Sequence, residues 1–371
     1  MSKFLYLLFF ISQPSWSLTL DWQGFSRTEL YYEASPEASY YGGIHLVLKP
    51  EIQVVDSLSI FSRLDLYPLE SSYDLENRQT GFIFLNSFKD SGEFDKLSPL
   101  FFNLSQIYLI YRSDYFQMKL GRAPYHFGLG VTYSAETSPF DHWISTFNQL
   151  AFYFEYSLFY FEPSLWLKGK DLLSVNQIGL RLENWDIGAL VRYDVLKSQF
   201  FLETLGRYKA DSLEAHLSFS YLSESNLALI FEGGMDLPIG LVPRLELKTG
   251  YISKDFFVHP NYDVALLLGN RSMNLLPLET ASNPLRIDEG RMNDSAYLSP
   301  RMTFNFLKNS LKLTPVVTLD YKLSEKILNY ELDLNMHYQL EDNFSVSIQG
   351  GMLLAAKKSY YGLLTQAAVT F

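Results

Sequence analysis

The sequence predicts an all-β protein, a transmembrane antiparallel β-barrel of about 18 strands, with 16 strands as the alternative. Three observations support this class. Apolar and polar residues alternate over long stretches, aromatic residues make up 16% of the chain, and the last alternating stretch ends on Phe371. Two-residue alternation is typical of a strand with one apolar and one polar face. Membrane barrels turn the apolar face to lipid and place aromatic residues at the lipid–water boundary.

The clearest alternating segment is 328–341. Every even position from Leu328 to Leu340 is apolar, and every odd position from Asn329 to Glu341 is polar. A helix would scatter these residues around its surface, so the pattern predicts a strand with one apolar and one wet face. The same alternation recurs in segments 177–183, 186–194, 213–221, 311–322, 344–352 and 361–371.

Short polar breaks separate the alternating segments, at residues 184, 210–211, 223–225, 308–309 and 342–343. We interpret these breaks as tight hairpin turns between antiparallel neighbours. A meander of this length is expected to close on itself, because open edges would leave backbone groups unpaired. The predicted architecture is therefore a closed barrel with short periplasmic turns.

Three predicted connections are long, namely 68–101, 123–148 and 256–294. Bacterial barrels place such loops on the outer side. Residues 80–86 and 127–143 leave the strand count open between 16 and 18, because each could be strand or loop. Residues 264–268 are apolar enough to fold inward as a lid or to extend a strand, and both alternatives remain open.

The composition excludes or disfavours several other classes of protein. The chain of 371 residues has no cysteine, which excludes disulfides and thiolate metal sites. No apolar run approaches the roughly 20 residues that a membrane helix needs. The 29 Phe, 26 Tyr and 5 Trp residues favour strands and membrane interfaces. A net charge of −11 argues against nucleic acid as a partner and against a polybasic membrane anchor.

Residues 1–17 have the features of a secretory signal peptide. Lys3 precedes an apolar run from Phe4 to Ile11, and small residues lead to a predicted cleavage site after Ser17. No composition break divides residues 18–371, which we predict to form a single barrel domain in the outer membrane of a Gram-negative bacterium. The expected partners include the lipid bilayer and, through the strand that ends at Phe371, the barrel-assembly machinery.

The polar face is the candidate functional site. A barrel of 16 to 18 strands is too wide to be filled by side chains and leaves an aqueous channel. Opposite charges around such a channel orient and filter polar solutes. For each single residue the alternative also stands, that its charge only keeps water in the lumen. The candidate pore-lining residues are Arg122, Arg181, Glu183, Arg192, Glu203, Arg207, Glu214, Arg244, Glu246, Lys248, Arg301, Lys312, Asp320, Glu331 and Asp333.

The most distinctive local string is LGRAPYHFGLG, at positions 120–130. Strict alternation would place Arg122 on lipid, so we expect a bulge at Gly121 that turns Arg122 into the lumen. Gly128 and Gly130 permit unusual backbone conformations or the close approach of another segment.

Together with the signal peptide, the strand rhythm and Phe371, this string resembles bacterial outer-membrane porins. The similarity is greatest to the alginate-export type of barrel, in which a strand ending in Leu-Gly-Arg leads into an aromatic loop that contains glycine. The resemblance implies a barrel that passes solutes or polysaccharide, with 18 strands in the alginate-export type. It carries over no functional residue beyond Arg122.

The predicted function is a channel, or porin, for passive diffusion of small polar solutes through a charge-lined lumen. We expect no enzymatic activity, no cofactor and no metal, and assembly into a homotrimer remains open. The first alternative is a barrel plugged by the 256–294 loop that acts in surface binding, in structure or in polysaccharide export. Acidic loop residues fit a binding role: Glu70, Asp74, Glu76, Asp90, Glu93 and Asp95.

An outer-membrane hydrolase is the less favoured alternative. Asp141 and His142 form an adjacent acid–imidazole pair, with Ser134, Ser138 and Ser145 nearby. Adjacent residues of a strand point to opposite faces, so this pair would have to act from a loop. His259 and Asp263 could contact a cation, but two ligands do not make a metal site.

Overall fold

The computed structural model describes residues 18–35, 37–72, 101–135, 138–141, 145–168, 171–222, 226–239, 242–254, 256, 258, 262, 264–267, 294–355 and 358–371. The predicted signal peptide and the ambiguous stretch 80–86 lie outside the described residues. No helix in the described part of the chain is long and apolar enough to cross a membrane.

The described residues form 18 strands in a single antiparallel sheet. The strands are β1 (Thr19–Ser35), β2 (Glu37–Val55), β3 (Leu58–Ser72), β4 (Phe101–Arg112), β5 (Gln117–Pro124), β6 (Thr146–Tyr156), β7 (Phe159–Lys168), β8 (Asp171–Arg181), β9 (Trp185–Asp194), β10 (Gln199–Lys209), β11 (Leu213–Leu222), β12 (Asn226–Ile239), β13 (Val242–Ile252), β14 (Ser295–Phe306), β15 (Leu311–Lys322), β16 (Ile327–Glu341), β17 (Phe344–Ala355) and β18 (Lys358–Thr370). A short 3-10 turn, Leu307–Asn309, joins β14 to β15.

The sheet closes into a barrel through its first and last strands. β1 pairs with β2 on one side and with β18 on the other, with Phe25 opposite Thr370. Beyond the strand, Gly24 and Phe371 exchange backbone hydrogen bonds of 2.9 and 3.0 Å. Closure satisfies the backbone groups that an open sheet would leave unpaired. The prediction of an antiparallel barrel with 18 strands is confirmed.

Because neighbouring strands run in opposite directions, successive connections alternate between the two ends of the barrel. The terminal edge carries residue 18, Phe371 and short turns such as 56–57 and 342–343. The loop edge carries the three long connections, 73–100, 125–145 and 253–294. The first of these begins later than predicted, because β3 continues past Pro68 to pair Ser72 with Tyr41 of β2.

The polarity of the barrel is the reverse of that of a soluble protein. Along β16, Leu334 is 54% exposed, whereas its neighbour Asp333 is 6% exposed. The strand therefore turns its apolar side chains outward and its polar side chains inward, as the alternation over 328–341 predicts. The same arrangement holds in β18, where Leu363 is exposed and Gln366 is buried.

Exposed aromatic side chains collect near both edges. Those near the terminal edge are Trp22, Tyr115, Tyr156, Phe159, Trp185 and Phe371. Those near the loop edge are Tyr32, Tyr193, Tyr251, Tyr321, Tyr330 and Tyr361. The outward surface between them is mainly aliphatic. Two aromatic girdles that flank an apolar band are typical of barrels that cross a lipid bilayer.

Candidate pore and its constriction

In the part of the chain that the structure describes, two segments fold from the loop edge into the barrel. The first inner segment is 125–141 between β5 and β6, of which 125–135 and 138–141 are described. The second inner segment is 256–267 between β13 and β14, described at 256, 258, 262 and 264–267. Residues 264–267 are buried and belong to no strand. Of the two alternatives for this stretch, inward folding is therefore correct for the described residues.

The first inner segment covers an apolar part of the inward face. Tyr125 and Tyr133 each pack edge-on against Trp166 of β7, with ring centroids 4.6 and 5.4 Å apart. The surrounding cluster includes Phe127 and Val131 of the segment and Leu173, Val175, Leu190 and Phe201 of the wall. Apolar side chains that point into a wet lumen would be costly, and this packing removes them from water.

Local backbone and polar contacts fix this part of the segment. Gly128 and Gly130 have φ angles of 57° and 72°, so both adopt the unusual conformation that the sequence predicts. Arg192 of β9 donates a hydrogen bond to the Tyr133 hydroxyl and lies over the Phe201 ring at 4.9 Å. Burial lowers the pKa of His126, whose Nε2 lies 3.0 Å from the Gly128 carbonyl oxygen.

The tip of the first inner segment, residues 138–141, reaches a different part of the wall. Arg27 Nη1 of β1 donates to the backbone carbonyls of Pro139 and Asp141, both at 2.9 Å. The Phe140 ring lies edge-on to His337 of β16, with centroids 6.1 Å apart. The segment thus extends across the lumen, from the β7–β10 wall to β1 and β16. It is the first element of a constriction.

Arg27 belongs to a buried inward cluster that the sequence analysis missed. The β1–β3 charge cluster comprises Arg27, Glu29, His45, Arg63 and Asp65. Arg27 lies 3.2 Å from Glu29 and 3.4 Å from His45, and Asp65 lies 3.1 Å from His45 and 2.9 Å from Arg63. The sequence did hold a signal for this cluster. Arg27 and Glu29, and likewise Arg63 and Asp65, are oppositely charged residues spaced by two, and residues with that spacing lie on one face of a strand.

The second inner segment is held to the wall through its backbone. The Val264 carbonyl accepts from Arg301 Nη2 at 2.8 Å and from Ser299 Oγ at 3.2 Å. The backbone N–H groups of Leu266 and Leu267 donate to the carboxylates of Asp333 and Glu331, at 3.1 and 2.6 Å. Arg301, Glu331 and Asp333, which were predicted to line the lumen, therefore bind the backbone of the second inner segment.

Apolar contacts and a tyrosine pair complete the second inner segment. Its Ala265, Leu266 and Leu267 form a buried cluster with Leu353, Ala355, Tyr360 and Leu364 of β17 and β18. The Tyr262 and Tyr297 hydroxyls are 2.9 Å apart, and burial raises the pKa of Tyr262 well above its usual value. The Tyr262 hydroxyl therefore stays protonated and able to donate in this contact.

Part of the predicted polar face is covered, which corrects the expectation that all of it is wet. Glu203, Asp320, Glu331 and Asp333 point inward but are buried. Glu331 and Asp333 lie beneath the second inner segment, and Glu203 accepts from Ser218 Oγ at 3.3 Å. Asp320 accepts from Asn329 Nδ2 at 3.2 Å. A charge is tolerated in such a place only when hydrogen bonds and counter-charges compensate for lost hydration.

Other predicted lumen charges remain in contact with solvent on the terminal half of the barrel. Arg244 lies 2.6 Å from Glu246, 3.0 Å from Asp236 and 3.4 Å from Glu214. Arg207 joins the network through Glu214 at 2.8 Å. We call these five residues the vestibule network. Their side chains point inward and are 24–53% exposed, so solvent reaches them from within the barrel.

The remaining predicted lumen residues are dispersed. Arg181 pairs with Glu155 at 3.0 Å, and both side chains are about half exposed. Lys248 pairs with Glu232 at 2.9 Å beneath the Tyr262 ring. Arg192 and Arg301 hold the inner segments, as described above. Two further residues are exposed: Glu183, in the turn between β8 and β9, and Lys312, near the start of β15.

Arg122 is placed differently from the prediction. Gly121 has a φ of 122°, but the β4–β5 and β5–β6 ladders continue without a register shift at this position. Arg122 pairs with Ile107, which is half exposed on the outward face. The predicted bulge is therefore absent, and Arg122 stays on the face of Leu120, because unbroken pairing preserves the alternation.

Residues considered for catalysis have structural contacts where they are described. Ser134 N donates to Ser145 Oγ at 3.1 Å, and Ser138 N donates to the Asp141 carboxylate at 3.0 Å. His142, His259 and Asp263 lie outside the described residues. Within the described ranges, no group of three His, Asp or Glu side chains is placed to hold a metal ion.

The geometry defines a closed 18-strand barrel whose interior is narrowed from the loop edge. No protein-family model matches the sequence, and no curated protein sequence is significantly similar. Solved structures share the fold. The structure of Pseudomonas aeruginosa OpdQ aligns with a TM-score of 0.63 and 12% identity over 95% of this chain and 99% of that chain.

Two structures of OpdK from the same organism align similarly. The structure described as an outer membrane protein has a TM-score of 0.63 and 9% identity, over 95% of this chain and 98% of that chain. The structure with vanillate has a TM-score of 0.64 and 10% identity, over 95% and 98%. At such identities the similarity establishes the fold alone, a closed antiparallel β-barrel of the size of these neighbours. The finer resemblance to the alginate-export type gains no support from these neighbours.

Proposed function

We propose that this protein is an outer-membrane channel for the passive diffusion of small polar solutes. The observation that carries the proposal is the vestibule network, whose charges point into the barrel and are still exposed. A hydrated, charged interior inside an apolar outer surface lowers the cost of moving polar molecules past lipid. The aromatic girdles support insertion into a bilayer, and the similarity to OpdK, which is described as an outer membrane protein, supports the outer membrane as its location.

The two inner segments would set the size limit of this channel. They enter from the same edge, share one buried apolar cluster and both contact β16, so the solute path would run through the part of the lumen that the two segments leave open. The OpdK structure with vanillate suggests small aromatic carboxylates as the first solutes to test. Mixed charges in the vestibule network would favour small polar solutes of either sign.

Single-channel conductance of refolded residues 18–371 in a planar bilayer tests the proposal. We expect steady ohmic steps, because a hydrated path would conduct at either polarity. Vanillate and an uncharged sugar of similar size would then be compared as permeants in proteoliposomes. A correctly folded barrel that shows no conductance would overturn the channel proposal.

A barrel that does not conduct would favour the second candidate, a plugged barrel that acts in surface binding, in structure or in polysaccharide export. The observation behind this candidate is the burial of inward charges such as Glu331 and Asp333 beneath the second inner segment. An enzymatic role has no comparable support among the described residues. Recognition of the strand ending at Phe371 by the assembly machinery, and assembly into a trimer, remain proposals.

Arg244→Gln is expected to raise the cation preference of the channel. Arg244 contacts Glu214, Asp236 and Glu246, and its loss leaves three carboxylates facing the lumen without their shared counter-charge. The reversal potential in a KCl gradient measures this preference. Lys326→Gln is the matched control, since it removes the same charge from the exposed turn after β15. Equal shifts for the two variants would contradict a role of the vestibule network in selectivity.

A further inference from the structure

The contact between Arg27 and the tip of the first inner segment is more specific than general packing. One guanidinium nitrogen, Nη1, donates to two backbone carbonyls, of Pro139 and Asp141, at 2.9 Å each. The side chain is only 2% exposed. Hydrogen bonds from a charged donor are stronger than neutral ones, and a buried position protects them from competing water.

Both sides of this contact are organised independently of each other. On the wall, Glu29 lies 3.2 Å from Arg27 Nε and also accepts from Gln366 of β18 at 3.1 Å. In the tip, Ser138 N donates to the Asp141 carboxylate, and Asp141 N donates to the Ser138 carbonyl, both at 3.0 Å. The tip is thus a closed turn that presents its carbonyls to a guanidinium already fixed in direction.

The tip also borders open space. A cavity of about 470 Å³ lies between the tip and the wall. Ser138 and Pro139 line it from the tip, and Phe25 and Lys49 line it from β1 and β2. The cavity reaches the terminal edge, where Asn343 and Phe371 contribute to its lining. Movement of the tip away from Arg27 would join this space to the rest of the lumen.

We infer that Arg27 is a positioning residue for the constriction, a latch that holds residues 138–141 against β1 by bridging the Pro139 and Asp141 carbonyls. This inference rests on the proposed channel function and adds the residue that fixes the width of the channel at its constriction. The latch requires no charge in the tip, because the guanidinium recognises main-chain oxygens. Its release would widen the path beside β1, where the cavity already lies.

The first test is Arg27→Gln, compared with Arg27→Lys. We expect Arg27→Gln to raise single-channel conductance and to admit larger sugars in liposome swelling, because the tip loses its two hydrogen bonds. Arg27→Lys keeps the charge and part of the donor capacity, so its conductance should lie between those of Arg27→Gln and the unmodified protein. A folded Arg27→Gln barrel with unchanged conductance and size limit would overturn the latch.

A crosslinking test reads the tip position directly. Because the chain has no cysteine, Phe140→Cys with His337→Cys creates a single reactive pair across the tip contact. A short bis-maleimide should join this pair efficiently when Arg27 is present and poorly in the Arg27→Gln background. In Arg27→Gln molecules that do become crosslinked, the conductance should return to that of the unmodified protein. If Arg27→Gln acted by weakening the wall in general, crosslinking the tip would not restore the conductance.

Asp141→Ala provides a second route if Arg27→Gln fails to fold. This change loosens the turn by removing the acceptor for Ser138 N, keeps only the backbone hydrogen bond from Asp141 N to the Ser138 carbonyl, and leaves the wall residues intact. Crosslinking should fall and conductance should rise as for Arg27→Gln, and unchanged crosslinking would count against the latch. If the unmodified protein does not conduct at all, the channel proposal fails, and the crosslinking comparison still decides whether Arg27 holds the tip.

Discussion

Leu334→Arg is expected to destabilise the folded barrel by about 2–4 kcal/mol, the range for a basic residue on the lipid face near the bilayer midplane. Leu334 is 54% exposed on the outward face. It lies in the middle of β16, opposite Pro315 of β15 and Gly350 of β17. An arginine here would face hydrocarbon with no polar partner on either neighbouring strand. Denaturant titration of protein refolded into lipid vesicles measures the loss.

Two control substitutions to arginine test whether the loss of stability depends on the depth in the bilayer and on the face of the strand. Leu340→Arg lies on the same face near the terminal edge, where the cost should fall to about 0–1 kcal/mol. Asn335→Arg points into the lumen beside Leu334 and should mainly change ion selectivity. Asp333→Arg is unsuitable as the inward control, because Asp333 accepts a hydrogen bond from Leu266. Equal losses for Leu334→Arg and Asn335→Arg would contradict the assignment of the faces.

The double variant Glu331→Ala with Asp333→Ala is expected to release the second inner segment from the wall. It leaves the N–H groups of Leu266 and Leu267 without these acceptors. A buried donor without a partner costs about 1–3 kcal/mol, so displacement of the segment into water becomes favourable. We expect higher single-channel conductance and faster proteolysis within 256–267. The ladders of β16 with β15 and β17 should survive, because they join backbone groups that the two substitutions leave in place.

The isosteric pair Glu331→Gln with Asp333→Asn is the matched control. Each amide keeps an oxygen that can accept from the segment backbone, so conductance and protease resistance should remain closer to those of the unmodified protein. This comparison separates the loss of acceptors from the loss of charge. Wild-type conductance together with wild-type protease resistance in the double alanine variant would show that these carboxylates do not hold the segment.

The wall of the barrel could be predicted because its signal is local. Residues 328–341 alternate between apolar and polar without interruption. In a membrane barrel the apolar side of such a strand faces lipid, so the strand's own sequence is enough to assign its two faces. The turns at 210–211 and 342–343 follow from polar breaks between such strands. The strand count followed from repeating this reasoning along the chain, although the exact end of β3 depended on its pairing with β2.

The interior was harder to predict, because an inward charge looks the same in the sequence whether water or protein covers it. Glu331 and Glu214 both alternate with apolar neighbours, yet the first anchors an inner segment and the second belongs to the vestibule network. The Gly121 bulge was wrong for a related reason. A glycine permits a bulge, but the neighbouring strands decide whether the ladder shifts.

The sequence by itself determined the class of this protein, an all-β barrel with an apolar outside and a polar inside, because strand alternation acts at the range of two residues. The tertiary structure alone decided which polar residues meet water and where the lumen narrows. Arg27 contacts a carbonyl 114 positions away, and Leu267 contacts a carboxylate 64 positions away. Such contacts depend on how the chain folds back into the closed barrel, and no local pattern encodes them.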